Sequence, residues 1–221
     1  MNLKEWQPSQ VKRVYTPKPD GRKRPLGIPN IIDRAIQAVI VSALEPEWEA
    51  KFESISYGFR PGKSYQDAVH RIFTLLTKKK DRVWILDADI SCCFDEMSHN
   101  SLMSCIHKFP YSDLILKWLK AGFLENGVAY DTDMGTPPGG GISPLLANIA
   151  LLFFAPPLAV QKNAKGGGIE AELGINYNSQ GYITKRENPL HRTFLRYADD
   201  FVIICPNKQV AEQSILDVNN A

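Results

Sequence analysis

The sequence predicts an α+β fold, and three observations carry that prediction. Strand-length apolar runs and helical periodicities alternate irregularly, not in the regular strand–helix order of a doubly wound sheet. Asp20-Gly21 falls between VKRVYTP (11–17) and a second short run ending in PLGIP (25–29), which is a hairpin signal. Near the end, FLRYADDFVIIC (194–205) places two apolar runs around Asp199 and Asp200, a second antiparallel pair.

Each element follows in order. Asn30 is placed to cap a helix carrying Ile31, Ile32, Ala35, Ile36, Val39, Ile40, Ala43 and Leu44, with Pro46 near its end. SYGFRPGKS (56–64) is rich in turn formers, and Ser64 caps a helix bearing Ala68, Val69, Ile72, Phe73, Leu75 and Leu76. VWILDADI (83–90) reads as a buried strand because it is short and mostly apolar. Helices are predicted over 98–108 and 111–123, then strands within 124–136 about a turn at Asn126-Gly127. TPPGGGISP (136–144) is a loop, and Leu145 to Phe154 a helix stopped by Pro156-Pro157. Residues 158–191 are polar and contain glycine, an insertion or a hairpin, and a short helix starts at Gln209.

At 221 residues the chain is long enough for one large domain or two small ones, and its net charge of +2 argues little about partners. The distribution of charge says more. Lys12, Arg13, Lys18, Arg22, Lys23 and Arg24 form a basic run that suits either phosphates or plain solvation, whereas Lys78 to Lys80 reads as a solvated face. The four cysteines (92, 93, 105, 205) contain no CxxC spacing, so neither a zinc knuckle nor a disulfide framework is signalled. MNLKEWQPSQ lacks the apolar core of a signal peptide, and no apolar run reaches spanning length. The expectation is a soluble cytoplasmic protein with no membrane partner.

Two adjacent aspartates between apolar strands are unfavourable unless a turn, a proton or a cation accommodates them. LDADISCCFDEM (86–97) adds Asp87, Asp89 and Asp95. Side chains alternate along a strand, so Asp87 and Asp89 share a face. Carboxylates from one strand end and a neighbouring hairpin suit two hard divalent ions, about 3.5–4 Å apart, as in phosphoryl transfer.

The chain resembles a group II intron reverse transcriptase. PKPDGRKRPLGIP (17–29), SYGFRPGKS (56–64), LDADISCCFDEMSH (86–99), GTPPGGGISPLLANIAL (135–151) and RYADDFVI (196–203) carry the resemblance, in the family's order. It implies right-hand polymerase fingers (1–82) and palm (83–221), with an antiparallel palm sheet flanked by helices. It implies RNA-directed DNA synthesis from dNTPs on an RNA template with a DNA or RNA primer, and intron RNA as a further partner. Asp89, Asp199 and Asp200 match the catalytic, metal-binding aspartates. Two Mg²⁺ ions are implied, with Mn²⁺ as a substitute, and the Ile90 carbonyl is an extra metal ligand. Asp87 is then a supporting residue. Phe94 matches the aromatic gate against a ribose 2′-OH, although a core role suits it too. Lys18, Lys23 and Arg24 match the nucleotide-binding fingers, and Gly139 and Gly140 the backbone approach to nucleotide or primer. Arg60 serves the template side or braces the fingers. Asn148 binds a template group or braces its helix.

Three departures stand out. Pro138 sits where the family has Gln, removing a side-chain amide, and LLFFAPPLAV (151–160) replaces a continuing amphipathic helix. The family's thumb and maturase regions follow the palm, and VNNA ends this sequence before them. An uncovered palm face leads to an expectation of self-association. The competing readings are an RNA-binding, maturase-like protein that assists splicing without synthesis, an inactive remnant, and a metal-dependent nuclease.

Overall fold

In a computed structural model, residues 3, 5–17, 21–78, 83–91, 93–136, 139–152, 174–177, 183–187 and 192–219 are described. They fall into two compact units. Unit 1 comprises Met1–Trp48 and Cys92–Ala150, and unit 2 comprises Glu49–Ser91 and Leu151–Ala221. Each takes in residues from both sides of position 82.

Unit 1 is built on a four-stranded sheet of order β2-β1-β4-β5. β1 (Val11–Pro17) pairs antiparallel with β2 (Lys23–Ile28), and β4 (Phe123–Glu125) with β5 (Val128–Tyr130). Asn126 (φ 50°) and Gly127 (φ 85°) form the turn, both left-handed as a two-residue hairpin requires. β1 runs parallel to β4. Asn30 caps α1 (Ile31–Glu49) as expected, its Oδ1 accepting from the Asp33 amide at 2.6 Å. The helix continues three residues past Pro46. Its buried stripe is Asp33, Ile36, Gln37, Ile40, Leu44 and Trp48. Ile31, Ile32 and Val39, counted above among its apolar positions, are exposed.

Ser98 caps α3 (His99–Ile106) through the Ser101 amide. The second predicted helix stops early. α4 covers Ser112–Leu119, Gly122 (φ 73°) follows it, and Phe123 already belongs to β4. A Cβ on Gly122 would lie 2.2 Å from the Tyr130 carbonyl oxygen, so the chain reverses where only glycine fits. Asp33 ties the unit together from inside, accepting from Trp6 Nε1 (2.8 Å), Trp118 Nε1 (3.0 Å) and the Ser9 amide (3.1 Å). α5 (Ser143–Leu151) starts two residues before its predicted first residue, Leu145. Phe154 and Pro156-Pro157 lie outside the described residues.

Unit 2 holds a three-stranded antiparallel sheet of order β3-β9-β8: β3 (Trp84–Asp89), β8 (Thr193–Tyr197) and β9 (Asp200–Cys205). One face carries Leu86, Ala88, Phe194, Phe201, Ile203 and Cys205 into an apolar cluster with Ile55 and Ala211, the latter on α6 (Lys208–Asn219). β6 (Gly174–Tyr177) and β7 (Ile183–Glu187) form a separate antiparallel pair, the hairpin alternative for 158–191. α2 (Tyr65–Lys78) is capped reciprocally. Ser64 Oγ and the Ser64 amide both donate to Asp67, and the Asp67 amide donates back to Ser64 Oγ. β3 corrects an expectation. It is an edge strand. Ile85 (50% exposed) lies on the face opposite the cluster, and Trp84 (46%), at the strand's first position, lies outside the cluster, so neither is buried. No helix of the described residues is long and apolar enough to cross a membrane.

Candidate active site

The β3–β9 register decides what the acidic residues do. Asp89 stands opposite Asp200, and Asp87 opposite Val202. Cross-strand partners share a face, so Asp87, Asp89 and Asp200 project to the same side, away from the apolar cluster of unit 2. β8 and β9 are joined by the two-residue turn Ala198-Asp199, which brings Asp199 to the same end. The Ile90 amide donates to the Asp199 carbonyl at 3.2 Å, fastening the end of β3 to the turn. Asp87, Asp89 and Asp200 are exposed and Asp199 is half-buried.

Electrostatics follow from the crowding. Desolvation, reinforced by the charges of Asp199, Asp89 and Asp87, pushes the Asp200 carboxyl above its ordinary value of 3.8. Among the described residues none of these four carboxylates forms an ion pair. No three His, Cys, Asp or Glu side chains among them converge on one point as placed. The donor set is hard carboxylate oxygen lacking a protein cation, and that chemistry fits divalent metal ions.

The turn is held from behind. Ala198 has φ 56°, in the left-handed region. The segment 55–57 runs beside β8: the Arg196 amide donates to the Ile55 carbonyl (3.0 Å), and the Tyr57 amide to the Arg196 carbonyl (2.9 Å). Arg196, fully buried, donates to the Ala198 carbonyl (3.3 Å) and pairs with buried Glu53 (3.5 Å). Burial pushes the Glu53 carboxyl up, with the Arg196 charge pulling the other way. Arg60 is only 8% exposed. It donates to Glu49 and to the Glu53 and Ser56 carbonyls, so its guanidinium braces its own loop.

The remaining predicted residues lie in unit 1. Lys23 and Arg24 are exposed on β2, and Lys18 lies outside the described residues, as does Pro138. Phe94 is half-buried and lines a cavity of about 300 Å³ with Arg13, Gly27, Trp118, Phe123 and Gly135. The Arg13 guanidinium lies 3.3 Å from the Phe123 ring centroid. Gly135 (φ 80°) lies against the Phe94 and Asp95 carbonyls, 2.7 and 2.5 Å from where its Cβ would be. Gly139 (φ 98°) approaches β2, where a Cβ would meet the Gly27 carbonyl at 2.6 Å. Gly140 is buried and accepts from the Ser143 amide, while buried Gln37 receives the Gly141 amide at 2.8 Å. Asn148 is 1% exposed inside α5.

Sequence reasoning did not single out Glu53, Gly58, Arg196 or Gln37. The first three lie in or beside quoted motifs, but Glu53 and Arg196 are 143 positions apart and no local pattern links them.

Comparison with known proteins identifies a family. A family model described as reverse transcriptase (RNA-dependent DNA polymerase) matches residues 16–221. Protein YkfC of Escherichia coli is 35% identical over 95% of this chain, and the match covers 58% of YkfC. The group II intron-encoded protein LtrA of Lactococcus lactis is 42% identical over 65% of this chain, which corresponds to 24% of its own length. This chain therefore matches less than two thirds of the length of either relative. Telomerase from Candida albicans, solved with a fragment of telomeric RNA, shares the fold at 12% identity. Its TM-score is 0.61, covering 97% of this chain and 39% of the telomerase. The group II intron resemblance read from the motifs is thus borne out, and the chain belongs to the reverse transcriptase family.

Proposed function

We propose that this chain is the fingers and palm core of an RNA-directed DNA polymerase, extending a DNA or RNA primer with dNTPs on an RNA template. The observation that carries this reading is the set of Asp87, Asp89, Asp199 and Asp200 at one end of the β3–β9–β8 sheet, without a protein countercharge among the described residues. Asp89, Asp199 and Asp200 would hold the divalent ions, Mg²⁺ in the first instance with Mn²⁺ substituting, and the Ile90 carbonyl is an additional oxygen donor. When bound, such ions lower the pKa of an attacking hydroxyl and neutralise phosphate charge.

The protein's own contribution is positioning. Lys23 and Arg24, exposed on β2, offer donors to triphosphate oxygens, with Arg24 able to grip bidentately. Lys18 belongs to the same block of sequence. Phe94, whose backbone carbonyl packs against Gly135, presents its ring to exclude a 2′-OH and so selects dNTPs. No protein nucleophile is required, since the primer hydroxyl attacks and pyrophosphate leaves.

Primer extension tests the proposal directly: oligo(dT) on poly(rA), with dTTP and Mg²⁺ or Mn²⁺. Extension that falls to background in Asp199→Ala, and a KM for dTTP about tenfold higher in Arg24→Ala (the scale of one charge-assisted hydrogen bond), are the expected results. A folded chain that gives no extension but binds intron RNA equally well with and without Asp199 would favour the second reading. That reading, RNA binding in aid of splicing, draws on the likeness to an intron-encoded protein.

A further inference from the structure

We propose that the 53–60 segment is a buttress for the Ala198-Asp199 turn, with Glu53, Gly58 and Arg196 as positioning residues for the metal-binding carboxylates. The proposal rests on the functional reading above and deepens it.

Ala198 occupies the left-handed region, which an alanine leaves readily unless its surroundings hold it there. Three contacts do so. The backbone of residues 55–57 pairs with Arg196, fixing the strand end just before the turn. The Arg196 guanidinium reaches forward to the Ala198 carbonyl, and Glu53 anchors that guanidinium from the other side in a fully buried pair. Gly58 closes directly on Ala198. A Cβ at 58 would lie 2.3 Å from the Ala198 amide nitrogen and 2.9 Å from its Cα. Gly58 is not in the left-handed region, so the missing side chain is required by this contact and not by backbone freedom.

The segment is itself stiff. Arg60 donates to the Glu53 and Ser56 carbonyls, and Lys63 Nζ to those of Ser54 (2.8 Å) and Ser56 (3.0 Å). A rigid loop pressed on a strained turn can aim Asp199 and Asp200, which follow Ala198 immediately.

The test is Mn²⁺ titration of the full 221-residue chain, with free Mn²⁺ counted by electron paramagnetic resonance and folding followed by circular dichroism. Asp199→Asn sets the baseline for loss of the site. Gly58→Ala and Glu53→Gln are each expected to weaken Mn²⁺ binding tenfold or more while unfolding cooperatively. If Gly58→Ala does not fold, Glu53→Gln, which keeps the shape but removes the negative charge that anchors the Arg196 guanidinium, decides. Both variants folded with wild-type Mn²⁺ affinity, while Asp199→Asn loses it, would overturn the buttress alone. Failure of both variants to fold would overturn it too, because the network would then serve the fold and not the pose. Absence of Asp199-dependent Mn²⁺ binding in the unmodified chain would overturn the metal-site reading and the buttress with it.

Discussion

Glu53 shows how one side chain ties stability to pH. Burial raises its carboxyl above the ordinary 4.5, more than the Arg196 charge lowers it. An acid whose pKa is higher in the folded than in the unfolded chain holds its proton more tightly when folded. It contributes stability that is full below 4.5 and lost as pH rises through the raised value. The unfolding free energy of the wild type minus that of Glu53→Gln is therefore expected to fall across this window, as read by urea denaturation at a series of pH values. A flat difference would mean that Glu53 titrates alike in both states. At the same scale, the aspartates were legible in the sequence because alternation along a strand and adjacency at a turn are local facts. The Glu53–Arg196 pair was not, because each residue reads alone as an ordinary surface charge.

At the scale of elements, capping and turn chemistry were the dependable signals. Asn30, Ser64 and Asn126-Gly127 each act where their side chains or backbone preferences predict. Removing the exposed cap of α2 by Ser64→Ala is expected to destabilise unit 2 by about 1 kcal/mol, measurable as a shift in denaturant midpoint with unchanged slope. Burial was less legible. An apolar run such as VWILDADI fits a strand covered on both faces equally well, and only the position of β3 at the sheet edge exposes Trp84 and Ile85. The end of α4 was overrun for a related reason. Helical periodicity continues to Phe123, but the close approach of Gly122 to Tyr130 is a tertiary fact that sequence spacing does not carry.

Across the whole molecule, the α+β class and the strand pairs around Gly21, Asn126-Gly127 and the aspartates followed from pattern. The division into two discontinuous units did not, since it depends on which distant segments meet. Tyr65, Val69 and Phe73 recur every four residues along α2 and are 61%, 59% and 64% exposed. An apolar stripe of this kind favours association. Light scattering of the purified chain is expected to give a mass that rises with concentration and falls toward the monomer in Val69→Lys/Phe73→Glu. A monodisperse monomer in the unmodified chain would refute this.

The pairing of residues 55–57 with Arg196 has one more consequence. β8 would otherwise be an outer strand with free backbone donors and acceptors, a template on which a foreign strand could add. Occupying it from within leaves β3 as the sheet's other border, where Asp87 and Asp89 set negative charge against any incoming strand. The loop behind the aspartate turn thus also guards the sheet against growing sideways into an aggregate.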